Sequence, residues 1–570
     1  MSQSLPLLSP AAAENLQLWR GDPLFADYRA AVEAAVAAGD REALEDCFGR
    51  VIPFGTAGRR GPEGVGPGRI NARTIAESAA GLAADVLAQG APRSAVVGFD
   101  TRRHSGEYAA LCARVLAGAG LRVWLFAEPC ATPQLAFEVH RRGAGCGVML
   151  TASHNPPTDN GFKAYGTNGG QVYPPQDRRI IEQVMSLARQ PLPCAELASP
   201  AIERVGRDDD EAYLDYVAGQ AVSGARDVRL VFSPLHGVGA RTVPPVLARA
   251  GFGDIHRVEA QCVADPAFGS LPGGIANPEQ PAALAALIAR CRELDADAGL
   301  AADPDADRLG FVARDPAAPD GYRVFNGNEL ATLIVWHTLE SLSRQGRLAP
   351  NALVMRSVVG SDRIAALCAD AGVELWGDLP IGFKWVGGLL AAGVGDDRLL
   401  AAVDESHGYN RGALVRDKDA ASAALALAEL AADCRARGML VGDVLAGIEA
   451  RHGLFDERVV SQPLARLADG ERVLDALRRR PPRELLGRRV TRLVDRQATP
   501  WVNPATGLPH PESFLLLWLE GARLGVRVSG TEPKLKIYVL ARAPHGSDRG
   551  ALADLAAGLP AALLCNAGGA

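Results

Sequence analysis

Three carboxylates at alternate positions, in Asp303-Pro-Asp305-Ala-Asp307-Arg308, are the densest chemical signal in the sequence. In extended chain, residues i, i+2 and i+4 share one side, so the segment can offer three hard oxygen ligands to one small cation. Magnesium (Mg2+) is the natural choice. An EF-hand loop is excluded, because Arg308 and Arg314 stand where such a loop needs glycine and a bidentate glutamate. A second segment, Thr151-Ala-Ser153-His154-Asn-Pro156 followed by Asn160-Gly-Phe-Lys163, sets a serine beside a histidine. Adjacent side chains in extended chain point to opposite faces, which places His154 badly as a simple base for Ser153, and the glycines of a nucleophile elbow are missing. A serine in a Pro- and Asn-rich turn, with Lys163 able to approach, suits a hydroxyl that carries a phosphoryl group. An ordinary capped turn is the plain alternative.

A phosphoryl group needs cations and amides to receive it. Arg527-Val-Ser529-Gly530-Thr531-Glu-Pro-Lys534, with Lys536 two residues on, alternates polar side chains toward one face, and Gly530 lets backbone N–H groups converge on an anion. The same pattern also fits a polar hairpin turn. Asp404-Glu405-Ser406-His407-Gly-Tyr409, with Asp417-Lys418-Asp419 close behind, pairs carboxylates with a hydroxyl, which suits the vicinal hydroxyls of a sugar, although a solvated loop explains it equally well alone. Gly382-Phe383-Lys384-Trp385 can set a cation and an aromatic face against a ligand, unless Trp385 is core. Phe54-Gly-Thr-Ala-Gly-Arg-Arg60-Gly61 is glycine-rich and basic, again suited to an anion. No Gly-Lys-Ser/Thr follows it and no G-x-G-x-x-G occurs, so nucleotide use is not expected.

These segments sit at the ends of apolar runs. Ser94 to Phe99, Gly147 to Leu150, Leu230 to Phe232, Ala298 to Ala302 and Leu399 to Val403 each read as a strand that ends in a charged or Gly-rich segment and leads into a helix. That alternation predicts α/β layers with ligands held just past the strand ends. The last ~90 residues read as a strand over Leu517 to Val528, a polar turn, a strand over Leu535 to Arg542 and an alanine-rich helix, a small α+β unit. Breaks near Pro200, Asp315 and residues 451–479 divide the chain into units 1–205, 206–320, 321–460 and 461–570. The 570 residues are enough for about four domains, and 48% hydrophobic with 22% charged residues describes a soluble globular protein. A net charge of -6 gives no basis for a nucleic-acid partner, and no apolar run approaches the ~20 residues that span a bilayer, so no membrane partner is expected. Ten cysteines without a C-x-x-C pair fit a reduced, cytoplasmic protein.

Taken together and in this order, TASHNP, DPDADR and RVSGTEPK resemble the α-D-phosphohexomutase superfamily over roughly Val51 to Arg542, and FGTAG-x-RG, GFKW and DKD look most like its phosphoglucomutase-2 and phosphopentomutase branch. The resemblance implies an α/β protein with three related mixed-sheet domains plus a smaller C-terminal α+β domain around a central cleft. It implies a phosphosugar mutase working through a phosphoserine, Ser153, and a sugar 1,6-bisphosphate. Asp303, Asp305 and Asp307 match its magnesium ligands, with Ser153 beside them and Arg308 next to the phosphoserine. Asp404 and Ser406 match the sugar-contacting pair, with Glu405 between them; Lys418 matches the lysine of the KD segment, and Arg60 and Lys163 match recurrent active-site positions. Arg527, Ser529, Gly530 and Thr531 match the distal phosphate site. Asp404 in place of glutamate and Ile381 in place of threonine depart from the pattern in the sugar-reading region. Glucose phosphate is the first expectation for the substrate, with mannose and pentose phosphates behind it. A metal-dependent phosphatase and an inactive sugar-phosphate-binding protein are the rival readings.

Overall fold

The computed structural model describes residues 8–53, 58–395, 398–529 and 534–568. Its first sheet is made by β1 (Arg59–Pro62), β2 (Ser94–Phe99), β3 (Arg122–Phe126), β4 (Cys146–Leu150), β5 (Asp159–Tyr165) and β6 (Ile202–Val205), in the order β1-β5-β4-β2-β3-β6. The strands β2, β3, β4 and β6 run parallel, while β5 is antiparallel to β4 and β1 to β5. Every residue of β4 is buried, as a parallel strand covered by helices on both faces requires.

The same plan recurs twice. β7 (Leu230–Ser233), β8 (Ile255–Arg257), β9 (Ala298–Ala302), β10 (Leu309–Arg314) and β11 (Tyr322–Val324) lie in the order β11-β10-β9-β7-β8, with β7, β8 and β9 parallel, β10 antiparallel to β9 and β11 antiparallel to β10. β12 (Leu353–Ser357), β13 (Glu374–Leu379), β14 (Leu399–Val403) and β15 (Tyr409–Asn410) lie in the order β13-β12-β14-β15, with β15 alone antiparallel. The C-terminal sheet is wholly antiparallel. It contains β16 (Leu454–Pro463), β17 (Glu484–Leu485) and β18 (Arg488–Asp495); a separate two-stranded pair β19 (Trp501–Val502) and β20 (Pro509–His510) follows. It is completed by β21 (Phe514–Leu519), β22 (Ala522–Val528) and β23 (Lys534–Ala543), in the order β16-β23-β22-β21-β18-β17. The chain is therefore of the α/β class, with three mixed sheets and a fourth, β-rich unit carrying two helices.

Three differences from the sequence reading have simple causes. The strands β4, β9 and β14 lead into antiparallel strands rather than helices, because the polar turns after them fold the chain straight back. The run Leu517 to Val528, read as one strand, is two: Gly521, at φ +80°, allows the tight reversal between β21 and β22. The helix Arg549–Gly568 is, over Arg549–Ala567, long and apolar enough to cross a membrane by length and composition. Its Leu552, Ala556, Leu559 and Leu563 are buried in the C-terminal core.

Two features tie the units together. A core of buried residues runs without a break from Phe137 through Phe232 and Phe311 to Ile448. Through it passes the alanine-rich helix Ala420–Ala436, capped by Asp419, whose carboxylate accepts from the Ala421 and Ser422 amides and from the Tyr213 hydroxyl at 2.8 Å. Three further helices, Pro10–Gly21, Arg29–Ala38 and Arg41–Phe48, precede the first sheet around Trp19, Phe25 and Phe48.

Gly237 lies where the turn after β7 backs onto the Asp303–Arg308 loop, and a Cβ there would overlap the Pro304 backbone. The Val238 amide also donates to the Pro304 carbonyl at 2.9 Å. Gly237→Ala should lower stability by about 1–3 kcal/mol, read from the urea midpoint, as overpacked sites do. Gly224→Ala, with open space around it, should leave the midpoint unchanged.

Candidate active site

Of the six segments singled out by chemistry, four fall between neighbouring antiparallel strands: residues 151–158 between β4 and β5, 303–308 between β9 and β10, 404–408 between β14 and β15, and 529–533 between β22 and β23. In the first three, one non-glycine residue turns left-handed: Ser153 at φ +54°, Ala306 at +53° and His407 at +60°. Such conformations cost of order 1–3 kcal/mol each and persist only where surroundings fix them.

The surroundings of Ser153 show how. Its side chain is buried and its Oγ donates to Asp303 Oδ2 at 2.7 Å, across two units. Its amide donates to Thr151 Oγ1 at 2.8 Å, and the Thr151 hydroxyl donates to Asp100 at 2.6 Å. The guanidinium of Arg102, paired with Asp100, donates to four carbonyls of the same loop: Ser153 (2.5 Å), Asn155 (2.6 Å), Pro156 (2.7 Å) and Asp159 (2.9 Å). Phe268, from the second unit, covers that guanidinium with its ring centre 5.1 Å away. The left-handed turn also brings His154 Nδ1 to 3.3 Å from Ser153 Oγ, so the two side chains do not diverge as an extended chain would make them. Burial, with Arg308 and Arg60 nearby, pushes the His154 imidazole well below its ordinary value and keeps it neutral.

Asp303, Asp305 and Asp307 are each fully or almost fully buried, with ligand oxygens within 4.8 Å of one another. Burial, reinforced by Asp305 and Asp307, pushes the Asp303 carboxyl well up. Asp305 accepts from Thr132 at 2.7 Å and from Lys163 at 2.6 Å; Asp307 accepts from Lys163 at 2.8 Å and pairs with Lys418 at 3.0 Å. One oxygen of Asp305 and one of Asp307 are buried without a hydrogen-bond partner, which is the donor set a hard divalent cation fits.

Ser153, His154, Lys163 and Asp307 face a cavity of about 530 Å3 to which each unit contributes, and Asp303 and Asp305 are not part of its lining. The first supplies Arg60, Ser153, His154 and Lys163, and the second supplies Asp307, Arg308 and Glu279. From the third come Gly382, Asp404, Glu405, Ser406 and Lys418; from the fourth, Arg527, Ser529, Lys534 and Lys536. Arg308 is held by an ion pair to Glu279, and Arg527 donates to the Tyr538 hydroxyl at 3.2 Å. Glu405 accepts from Ser357 at 2.7 Å, while Asp404 turns one oxygen to the Ser406 and Gly408 amides at 2.9 and 2.7 Å. His407 faces inward, its Nδ1 on the Leu309 carbonyl at 3.0 Å. Lys384 is not part of the lining; it is buried with its ammonium 5.5 Å from the Trp385 ring centre. Gly530 and Thr531, and Phe54 to Ala57 of the glycine-rich opening, lie outside the described residues. Sequence reasoning missed Arg102, Thr132 and Glu279. Arg102 lies in the Asp100-Thr-Arg segment at the end of β2, but the carbonyls its guanidinium donates to are all remote in sequence, and Glu279 stands in a loop with no periodic signal.

Asp404 supplies a pH test. Burial first, then Glu405 beside it, pushes its carboxyl up to about 7, against an ordinary 3.8. Between those values the folded form keeps a proton that the unfolded chain releases, so this group's contribution to stability falls as pH rises through the window. Asp404→Asn keeps an acceptor for the two amides and removes the titration. The variant should gain thermal midpoint over the parent at about pH 8 relative to about pH 5; an unchanged difference would assign the titration elsewhere.

Family models cover most of the chain. The phosphoglucomutase/phosphomannomutase alpha/beta/alpha domain I matches residues 51–190, domain II matches 211–316 and domain III matches 326–449. The phosphoglucomutase of Staphylococcus haemolyticus (strain JCSC1435) is 31% identical over 514 residues, covering 87% of this chain and 91% of the relative. That of Staphylococcus aureus (strain USA300) is 30% identical over 519 residues, covering 88% and 91%. The fold is shared with the crystal structure of a putative phosphomannomutase from Thermus thermophilus (TM-score 0.65, 22% identity, 90% of this chain and 98% of that one). It is also shared with the open form of pp63/parafusin from Paramecium (TM-score 0.65, 17% identity, 91% and 98%). With three matched domains in order and relatives aligned along nearly their whole length, the chain belongs to the phosphoglucomutase/phosphomannomutase family and is a phosphosugar mutase, an intramolecular phosphotransferase.

Proposed function

We propose that this mutase interconverts glucose 1-phosphate and glucose 6-phosphate in the cytoplasm through a phosphoserine at Ser153 and glucose 1,6-bisphosphate. The observation that carries this reading is a buried serine hydroxyl 2.7 Å from one carboxylate of a three-aspartate cluster, facing the cations of the C-terminal unit across the cleft. Glucose is favoured by the phosphoglucomutase names of the aligned relatives, and the ten unpaired cysteines fit a reducing compartment. The working units are 1–205, 206–320, 321–460 and 461–570.

In this scheme phosphorylated Ser153 gives its phosphoryl group to the free hydroxyl of a bound sugar monophosphate, and the bisphosphate formed turns over and returns its other phosphate to Ser153. Asp303, Asp305 and Asp307 would hold Mg2+ beside the phosphoryl group on Ser153. The cation supplies neutralisation of the charge on the transferring phosphoryl oxygens. Arg308 and Arg60 add fixed positive charge on the same side of the cleft. Arg527 and Ser529, with Gly530 and Thr531, grip whichever phosphate is not reacting, while Glu405, Ser406 and Asp404 receive sugar hydroxyls with Gly382 and Lys418 beside them. Lys384, set behind the lining, takes no direct part. Lys163 and Lys418 are ammonium groups committed to carboxylates, whereas His154 is neutral and 3.3 Å from Ser153 Oγ, so His154 is the proton carrier in this reading.

Mass spectrometry after incubation with Mg2+ and glucose 1,6-bisphosphate should find phosphate on Ser153, with isomerisation of glucose 1-phosphate that chelation abolishes and Mg2+ restores. Ser153→Ala should lose both. Phosphate without isomerisation would move the substrate to a mannose or pentose phosphate, and hydrolysis by an unmodified protein would replace the mutase scheme by a phosphatase. Arg102→Lys, which keeps the charge and loses the fork, should lower kcat about a hundredfold, as misplacement of a nucleophile does, with KM little changed. Equal losses in both would make Arg102 a purely structural residue.

A further inference from the structure

Only five of the 60 basic residues are lysine: Lys163, Lys384, Lys418, Lys534 and Lys536. None of them is exposed. Four line the cleft, and Lys384 is buried one residue beyond the lining residue Phe383. Every other cation is an arginine, whose guanidinium keeps its proton at any physiological pH and is no nucleophile. The chain therefore has all its side-chain amines at or just behind the catalytic cleft.

The amines differ in what they are tied to. Lys163 and Lys418 are held as ammonium ions by Asp305 and Asp307, and Lys384 is shut behind Trp385. Lys536 stands directly opposite Arg527 in the β22–β23 ladder and, with Ser529, lines the part of the cavity read above as the phosphate site. Burial first, and then the neighbouring Arg527, lower its proton affinity despite Glu279 and Glu405, so a larger share of this amine is unprotonated.

We propose that Lys536 is a site of acylation by small acyl phosphates and that this modification turns the mutase off. The proposal rests on the phosphate-binding reading of the Arg527 loop. The phosphate end of the acyl phosphate is held by Arg527 and Ser529, which sets the carbonyl carbon against Lys536 Nζ. The amine lone pair forms the amide C–N bond, the acyl C–O bond breaks, and phosphate leaves with the proton given up by the amine. Acyl-lysine has no positive charge, so the cleft loses one of the cations that receive the substrate phosphate.

The test is incubation of the full chain with acetyl phosphate, followed by peptide mass spectrometry and a parallel mutase assay. Lys536 should be labelled about tenfold or more faster than any other lysine, because the phosphate end held by Arg527 and Ser529 aims the acyl group at it, with activity falling in proportion. Inorganic phosphate should slow both. Lys536→Arg, compared with its own untreated activity, should resist inactivation. Equal labelling of Lys534 and Lys536, label confined to the amino terminus, or full activity with Lys536 labelled would each overturn the proposal. Labelling and its protection by inorganic phosphate need no sugar, so they separate the two readings. If Ser153 takes phosphate normally while Lys536 stays unlabelled, the acylation proposal falls and the mutase scheme stands.

Discussion

Two ammonium groups from different units meet on one buried carboxylate: Lys163 of the first sheet and Lys418 of the third both reach Asp307 of the second. Asp417 extends the chain of charge back to the first unit by accepting from Tyr165 at 2.8 Å and Gln171 at 2.7 Å. Burial alone would raise the Asp307 carboxyl, but the two lysines outweigh it and hold it well below the usual range. Removing one partner of such a network strands a charge in a poorly solvated place, which costs ~3–5 kcal/mol, so the three mixed-sheet units are held in one mutual arrangement. The positions of Ser153, of the aspartate cluster and of the Asp404 loop relative to one another all follow from that arrangement.

Each loop is also fixed from behind by its neighbours. Thr132, at the start of the helix Thr132–Arg141, donates both its hydroxyl and its amide to Asp305. The Ala420 amide, at the start of the helix Ala420–Ala436, donates to the Ala306 carbonyl at 3.2 Å, and Arg308 bridges to Gly408. The aspartate loop is thus held by the first and third units as well as by its own sheet. This is the over-determination that a left-handed Ala306 needs.

Much of this was legible in the sequence because it is local. Alternate carboxylates at the end of an apolar run and a serine in a Pro- and Asn-rich turn carry their chemistry in residue type and spacing. Burial on both faces likewise made β2, β4 and β9 readable as strands. The direction of the following strand was not readable, since a polar turn of five to eight residues can lead to a helix or to a hairpin. Nor were the long-range partners. Arg102 acts on carbonyls more than 50 positions away, and Asp417 meets Tyr165 and Gln171 across roughly 250, distances at which composition and periodicity say nothing. The inward turn of His154 depended on a single positive φ at Ser153, a choice made by tertiary contacts rather than by the dipeptide.

The hairpin character of the loops 151–158, 303–308 and 404–408 has a mechanical consequence. Both ends of each of these three loops are clamped in adjacent, hydrogen-bonded strands, about 5 Å apart, so such a loop has no free arm on which to swing. Any narrowing of the cleft then has to come from the C-terminal sheet tilting as a rigid plate against the other three. Binding energy gathered at one loop is delivered to a lever the size of a domain, and a small rotation at its base moves the far cations by several ångströms without altering the geometry of any single loop.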